Sequence, residues 1–181
     1  MTTTAAAGSG AHPRFAEALE ELGLGELHAR IRRFPDATRT AAEAAAAIGC
    51  ELSQICKSLV FAVWGSPLLE RGRELGEGVP VLVLMDGASR VDVERVREEL
   101  GAGKVTRAGA DVVRETTGYA IGGVPPFGHR TKTRVLADRS LLGHDTVWAA
   151  AGTPHTVFPM DPKTLIAHAG GTLVDVREQS A

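Results

Sequence analysis

Lys57 stands in "QICKSLVFAV", a run of branched and aromatic residues that reads as a β-strand. Period-two alternation puts Ile55, Lys57, Leu59 and Phe61 on one face, and Cys56, Ser58, Val60 and Ala62 on the other. Both faces are otherwise mostly apolar, so Lys57 is expected to be partly buried. An ammonium so placed either snorkels to water from an edge strand or meets an anion or polarised carbonyl in a cleft. A second feature is "TGYAIGGVPPFGH", residues 117–129, which contains no Ser, Cys, Asp or Glu. Gly122 and Gly123 can take backbone conformations closed to other residues, and Pro125 and Pro126 stiffen the second half of the segment. Such a loop is either a rigid turn or a device that aims main-chain N–H groups at one point, as an anion nest or oxyanion hole.

Directly after the loop, "HRTKTRV" alternates Arg130, Lys132 and Arg134 with Thr131, Thr133 and Val135. If this stretch is a strand, the three cations share one face. That face is either simply solvated or suited to a phosphate chain. Other candidates carry less. The six histidines are scattered, without HExxH or Cys/His ligand spacing, so neither a metal site nor a cofactor is expected. No GxSxG or Walker sequence is present. His155, in "AGTPHTVF", falls in a turn after a strand, where it either caps the surface or lines a pocket. Cys56 reads as core, and Asp138 as a residue that orders a loop.

The elements that must position these groups are marked by local signals. "TAAEAAAAIG" is a helix in which Thr40 and Glu43 have capping-box spacing and Gly49 suits a left-handed stop. "VPVLVLM" is a strand buried on both faces. "VDVERVREELG" is an amphipathic helix capped by Asp92. "DPKTLIAHAGG" pairs an Asp161 N-cap with Pro162 at the first helical position. "PRFAEALEELG" and "ADVVRETTG" are further helices. "ARIRRF", "KVTRA", "HRTKTRVLAD", "TVWAAAG", "HTVF" and "TLVDV" read as extended, with a helical turn at "RSLLG". Strands and helices mix without a steady βαβ rhythm. The expected fold is therefore α+β, a mixed, mainly antiparallel sheet or partial barrel.

The chain has 181 residues, 44% of them hydrophobic, and a formal net charge of −2. This fits one domain, expected over residues 13–181, with residues 1–12 as a flexible tail. Near-neutral charge provides no global attraction to nucleic acid or membrane, so any RNA binding must use a local patch. No apolar run approaches the roughly 20 residues of a membrane span, and the start lacks the features of a signal peptide. With two cysteines outside any CxxC pair, a cytoplasmic location is expected.

From about Thr40 to Val176, the order of motifs resembles the YbaK family, the prolyl-tRNA synthetase-associated editing domain. The resemblance rests on "AAEAAAAIGCELSQICKSLVF", "VPVLVLMDGASRVDVERV", "TGYAIGGVPPFGH", and "AAGTPHTVF" ahead of "MDPKTLIAHAGG". The specific pieces are the strand lysine followed by a short polar residue, here Lys57 and Ser58, and the Gly-x-x-x-Pro loop, here Gly122 to Pro126. The resemblance implies a mixed sheet curled into a barrel-like core with flanking helices. It also implies a free-standing hydrolase that cleaves the ester between a wrong amino acid and the terminal ribose of tRNA, with a prolyl synthetase as a candidate partner. In such a reading Lys57, Gly122 and Gly123 are catalytic. Ser58, Val124, Pro125, Pro126, Gly152 and His155 hold the aminoacyl end, and Arg130, Lys132 and Arg134 hold tRNA. Ser58 stands where many relatives have Thr or Asn, and the "ERGRELGEG" connection is longer than usual. Both departures bear on which amino acid is edited. Cys-tRNA(Pro) is expected first and Ala-tRNA(Pro) second, with Ser- or Thr-tRNA open. The alternatives are a non-catalytic module that binds a nucleotide or RNA 3′ end on the same fold, and, with little support from ligand spacing, a metal-dependent hydrolase.

Overall fold

The computed structural model describes residues 10–69 and 78–179. Its helices are α1 (Pro13–Glu21), α2 (Ala41–Ile48), α3 (Val93–Leu100), α4 (Ala110–Thr117) and α5 (Pro162–Ala169). Its strands are β1 (Arg32–Arg33), β2 (Cys56–Trp64), β3 (Val79–Asp86), β4 (Lys104–Arg107), β5 (Arg134–Asp138), β6 (Val147–Ala150), β7 (Thr156–Met160) and β8 (Gly171–Val174). The helix ends follow the sequence signals. Thr40 Oγ1 accepts from the Glu43 amide, Asp92 from Glu94 and Arg95, and Asp161 from Lys163. Gly49, Gly101, Gly118 and Gly170 close their helices in the left-handed conformation.

A five-stranded sheet has the order β4-β2-β3-β5-β8, and a three-stranded one the order β1-β7-β6. Antiparallel pairs predominate. Among the strand pairs of the described residues, β3–β5 and β5–β8 run parallel. The two sheets touch through a parallel bridge between Ile55 and Trp148. The fold is thus a mixed α+β arrangement. Alternation along β2 sorts its side chains as expected. Cys56 and Val60 join a cluster with Phe15, Leu84, Phe127 and Phe158, while Phe61 and Val63 join one with Val83, Met85, Val96 and Leu100. In β3, Val81 to Met85 are at most 1% exposed, because both clusters pack against that strand.

Two expectations need correction. A 3-10 helix occupies Gly25–Arg30, so only Arg32 and Arg33 of "ARIRRF" pair as a strand. The strand expected from residue 129 begins only at Arg134. The Arg130 and Thr131 amides donate to the carbonyls of Thr117 and Thr116, at the end of α4, which commits this segment to a helix-capping path. Residues 1–9 of the expected tail lie outside the described residues, but its last residues are fixed. The His12 amide donates to Ala151, and its ring packs edge-on against Tyr119 at 4.9 Å. Most of the charged connection between β2 and β3, residues 70–77, is outside the described part.

Candidate active site

A cavity of about 220 Å³ opens beside the first half of β2, which stays paired with β3 there but has no pairing with β4 before Phe61. Ile55 to Val60 line it without a break, together with Thr38–Ala41 before and at the start of α2, Trp148–Ala150 of β6, and Thr153, Thr156 and Val157. Arg107 and Ala108 line it too, as do Ile121, Gly122 and Val124. Consecutive residues of one strand can line a cavity only where the strand's edge, rather than one face, is open.

Lys57 and Ser58 therefore both reach this space, although their side chains leave opposite faces of β2. The Lys57 ammonium donates to the Ser89 carbonyl at 2.5 Å, in the turn that follows β3. That turn is shaped by Asp86, whose carboxylate accepts from the Ala88 amide at 2.9 Å. Partial burial lowers the Lys57 pKa. The Asp86 carboxylate opposes this, while Arg107 and Arg90 add to it. Lys57 is thus a cation with less hydration than a surface lysine and an anchor that a ligand can replace. The Ser58 hydroxyl is buried and has no hydrogen-bond partner among the described residues. Cys56, beside them, is fully buried, and its thiol pKa is pushed up to about 12, which suits a core residue and not a nucleophile.

The Gly/Pro loop arrives from the other side. Gly122 has φ +95°, and a Cβ there would meet nothing within 4 Å. Gly123 has a different task. Its amide donates to the Ala120 carbonyl at 3.0 Å, and a Cβ would lie 2.9 Å from Thr153 Cα. Gly123 lets this loop touch the 152–154 loop backbone to backbone, and its N–H is not available as an oxyanion donor. The far end of the loop is held by packing. Phe127 contacts Phe15 and Phe158 with ring centroids 5.6 and 5.9 Å away, pairs worth about 0.5–1.5 kcal/mol each beyond area burial. The His129 ring meets the Pro125 carbonyl at 2.6 Å, and burial lowers its pKa. Gly122 and Val124 line the cavity, whereas Pro125 and Pro126 are buried behind it.

Several expected contacts fall elsewhere. Gly152 packs on His12 and Tyr119. His155 turns to Phe34, bonding that residue's amide and carbonyl through its own carbonyl and ring. Arg130, Lys132 and Arg134 are exposed and line no part of the cavity. Arg134 pairs with Val81, whereas Lys57 pairs with Met85, roughly 13 Å further along β3. Sequence reading missed Arg39 and Arg107, the exposed guanidinium groups at the rim, and Trp148, which forms part of the wall. Arg107 follows a period-two strand and was open to detection. Arg39 joins the site only because the Thr38 amide and hydroxyl both bond the Pro154 carbonyl, over a hundred residues later. The lining offers cations, hydroxyls and main-chain groups but no carboxylate or imidazole. It can fix a polar or anionic group and cushion developing negative charge, without a carboxylate or imidazole for acid–base chemistry.

The model of the aminoacyl-tRNA editing domain matches residues 35–167, a span that holds every residue lining this cavity. The chain belongs to this family. The editing domain is 33% identical over 136 residues to the uncharacterized protein YwhH of Bacillus subtilis (strain 168), covering 75% of this chain and 78% of that one. It is 32% identical over 120 residues to a proline–tRNA ligase of Limosilactobacillus fermentum, covering 66% of this chain but 20% of the ligase. A crystal structure described as a candidate trans-editing enzyme for prolyl tRNA synthetase matches it with a TM-score of 0.79 and 39% identity, over 98% of this chain and 99% of the other. The hypothetical protein APE2540 matches with a TM-score of 0.74 and 29% identity, over 91% and 99%.

Proposed function

We propose that this editing domain is a trans-acting deacylase that hydrolyses the ester between a wrong amino acid and the 3′ end of tRNA. The observation that carries the reading is the convergence of Lys57 and Gly122, far apart in sequence, on one cavity. An aminoacyl ester is already activated, so it needs no strong protein nucleophile. Water, or a hydroxyl or thiol of the substrate itself, attacks the carbonyl. The Gly122 amide is the loop's candidate donor to the resulting oxyanion, and one such donor is worth roughly 3 kcal/mol. Lys57 leaves the Ser89 carbonyl to hold the 3′-terminal phosphate or the carbonyl region. Arg39 and Arg107, which line the cavity as Arg130, Lys132 and Arg134 do not, are the nearer candidates for contact with the terminal phosphate.

Apolar walls of alanine and valine suit a small side chain, and the unpartnered Ser58 hydroxyl favours one with a thiol or hydroxyl. Cys-tRNA(Pro) is therefore the first candidate and Ala-tRNA(Pro) the second. The similarity to proline–tRNA ligases supports tRNA(Pro) and a prolyl synthetase as partners. The lack of a carboxylate or imidazole in the lining also fits a binder without turnover. A deacylation panel of Cys-, Ala-, Ser- and Thr-tRNA(Pro) at catalytic protein concentration separates the two. Release of amino acid from at least one, lost in Lys57→Ala, is expected. Intact esters throughout would refute the deacylase, and full turnover by Lys57→Ala would refute the role of Lys57.

A further inference from the structure

We propose that the main chain of Ser58 is the dock for the aminoacyl group: its carbonyl takes the α-ammonium and its N–H the acyl oxygen, like one added residue of sheet. This rests on the deacylase reading and specifies how that site recognises its substrate. On β2, odd-numbered residues bond toward β3, since Gly87 donates to the Ile55 carbonyl. Even-numbered residues bond toward β4, since Ala108 donates to Val60 and Gly103 to Trp64. The N–H and C=O of Ser58 must follow the second set, yet β4 pairs with β2 only over Phe61–Trp64. On the other side of Ser58, the edge is closed by the Ile55–Trp148 bridge. Between these two closures no strand of the described residues pairs with the outer edge of β2 at Ser58, and Ser58 lines the cavity.

An α-aminoacyl ester fits that gap. Its ammonium and carbonyl belong to one residue, so they can exchange two bonds with Ser58 as an antiparallel hydrogen-bonded pair does. Residues paired in this way carry their side chains on the same face. The substrate side chain then lies beside the Ser58 hydroxyl, among Val60, Val113, Val124 and Ala149. The commitment of the Gly123 amide to Ala120 leaves the Gly/Pro loop with one donor fewer than its sequence promised, and the Ser58 N–H makes up that deficit.

The test uses the whole protein and the best-cleaved aminoacyl-tRNA, beside the same tRNA carrying the α-hydroxy and the desamino acyl group. Each rate is divided by that of uncatalysed hydrolysis of the same ester, because the ammonium itself activates the carbonyl. Loss of the charge-assisted bond should lower the corrected kcat/KM roughly 10- to 100-fold. Equal corrected rates would overturn the dock and leave the deacylase standing. Ser58→Pro removes an N–H that no ladder uses, so a wild-type-like melting temperature with lost turnover is expected, whereas Ser58→Ala should keep the preference for the amine. A folded Ser58→Pro that retains full turnover would also overturn it. If Ser58→Pro does not fold, the substrate series decides alone. Should no ester be cleaved at all, the deacylase reading falls. Binding of a non-hydrolysable 3′-aminoacylamido-adenosine against its desamino form then tests the dock, and equal affinities refute it.

Discussion

Replacing Gly123 by alanine should force two loops apart. The new methyl carbon would sit 2.9 Å from Thr153 Cα and 3.0 Å from both the Gly152 oxygen and the Thr153 carbonyl carbon. Ordinary contacts between carbon atoms are about 3.5–4.0 Å, so the loops must separate by roughly half an ångström or more. All three obstacles are main-chain atoms and cannot rotate away. Overpacking of this kind costs about 2 kcal/mol, which for a domain of this size lowers the melting temperature by about 4–8 °C. Gly122→Ala is the matched control. Its cost comes from φ +95° and not from space, roughly 1–2 kcal/mol. Stability should therefore fall by a similar amount in both. Activity should not, because only Gly123→Ala displaces the segment that aims the Gly122 amide, and misplacement by about 1 Å can cost about a hundredfold. Thermal melts and deacylation kcat/KM, measured side by side, check this. A wild-type melting temperature for Gly123→Ala, or equal activity losses in the two variants, would refute the account of this contact.

Lys57→Met should abolish turnover without lowering the melting temperature at pH 7. Burial disfavours the ammonium, so the folded chain releases that proton below the usual 10.5. Between the lowered pKa and 10.5 the unfolded chain binds more protons, so stability rises with pH there, and below that interval the whole penalty is present. The methionine removes the penalty, and a clear drop in melting temperature at pH 7 would contradict it. For the wild type, the same shift predicts that turnover declines with rising pH before an unperturbed lysine would titrate, which a pH–rate profile reads. At the rim, Arg39→Gln and Arg107→Gln should each reduce the salt slope of tRNA binding by about 1, while Lys132→Gln leaves it unchanged. The reverse pattern would restore the basic segment after the loop as the phosphate contact.

Local features were legible in the sequence. The Thr40, Asp92 and Asp161 caps, the glycine stops and the two faces of β2 each follow from residues a few positions apart, and each is present as read. The half-buried setting of Lys57 followed from its apolar neighbours in the same way. Long-range hydrogen bonds decided the rest. The carbonyls of Thr116 and Thr117 claimed the segment at Arg130, which destroyed the alternation on which the basic stripe depended. Phe34 claimed His155, and Thr153 supplied the reason for Gly123. The last two contacts join residues 121 and 30 positions apart, and the first spans a whole loop, so no local pattern announces any of them. The open edge of β2 was hidden for a related reason: a strand's own residues do not reveal where its neighbour stops.

That edge has a consequence for how the protein can change. Every amino acid but proline brings the same peptide atoms, so only proline could strip position 58 of its amide hydrogen. Exchanging the serine for alanine, threonine or asparagine would redraw the preference among cargoes while their shared part stayed gripped. With the dock proposed above, a hollow built in this way would drift from one misacylated species to another by single codon steps.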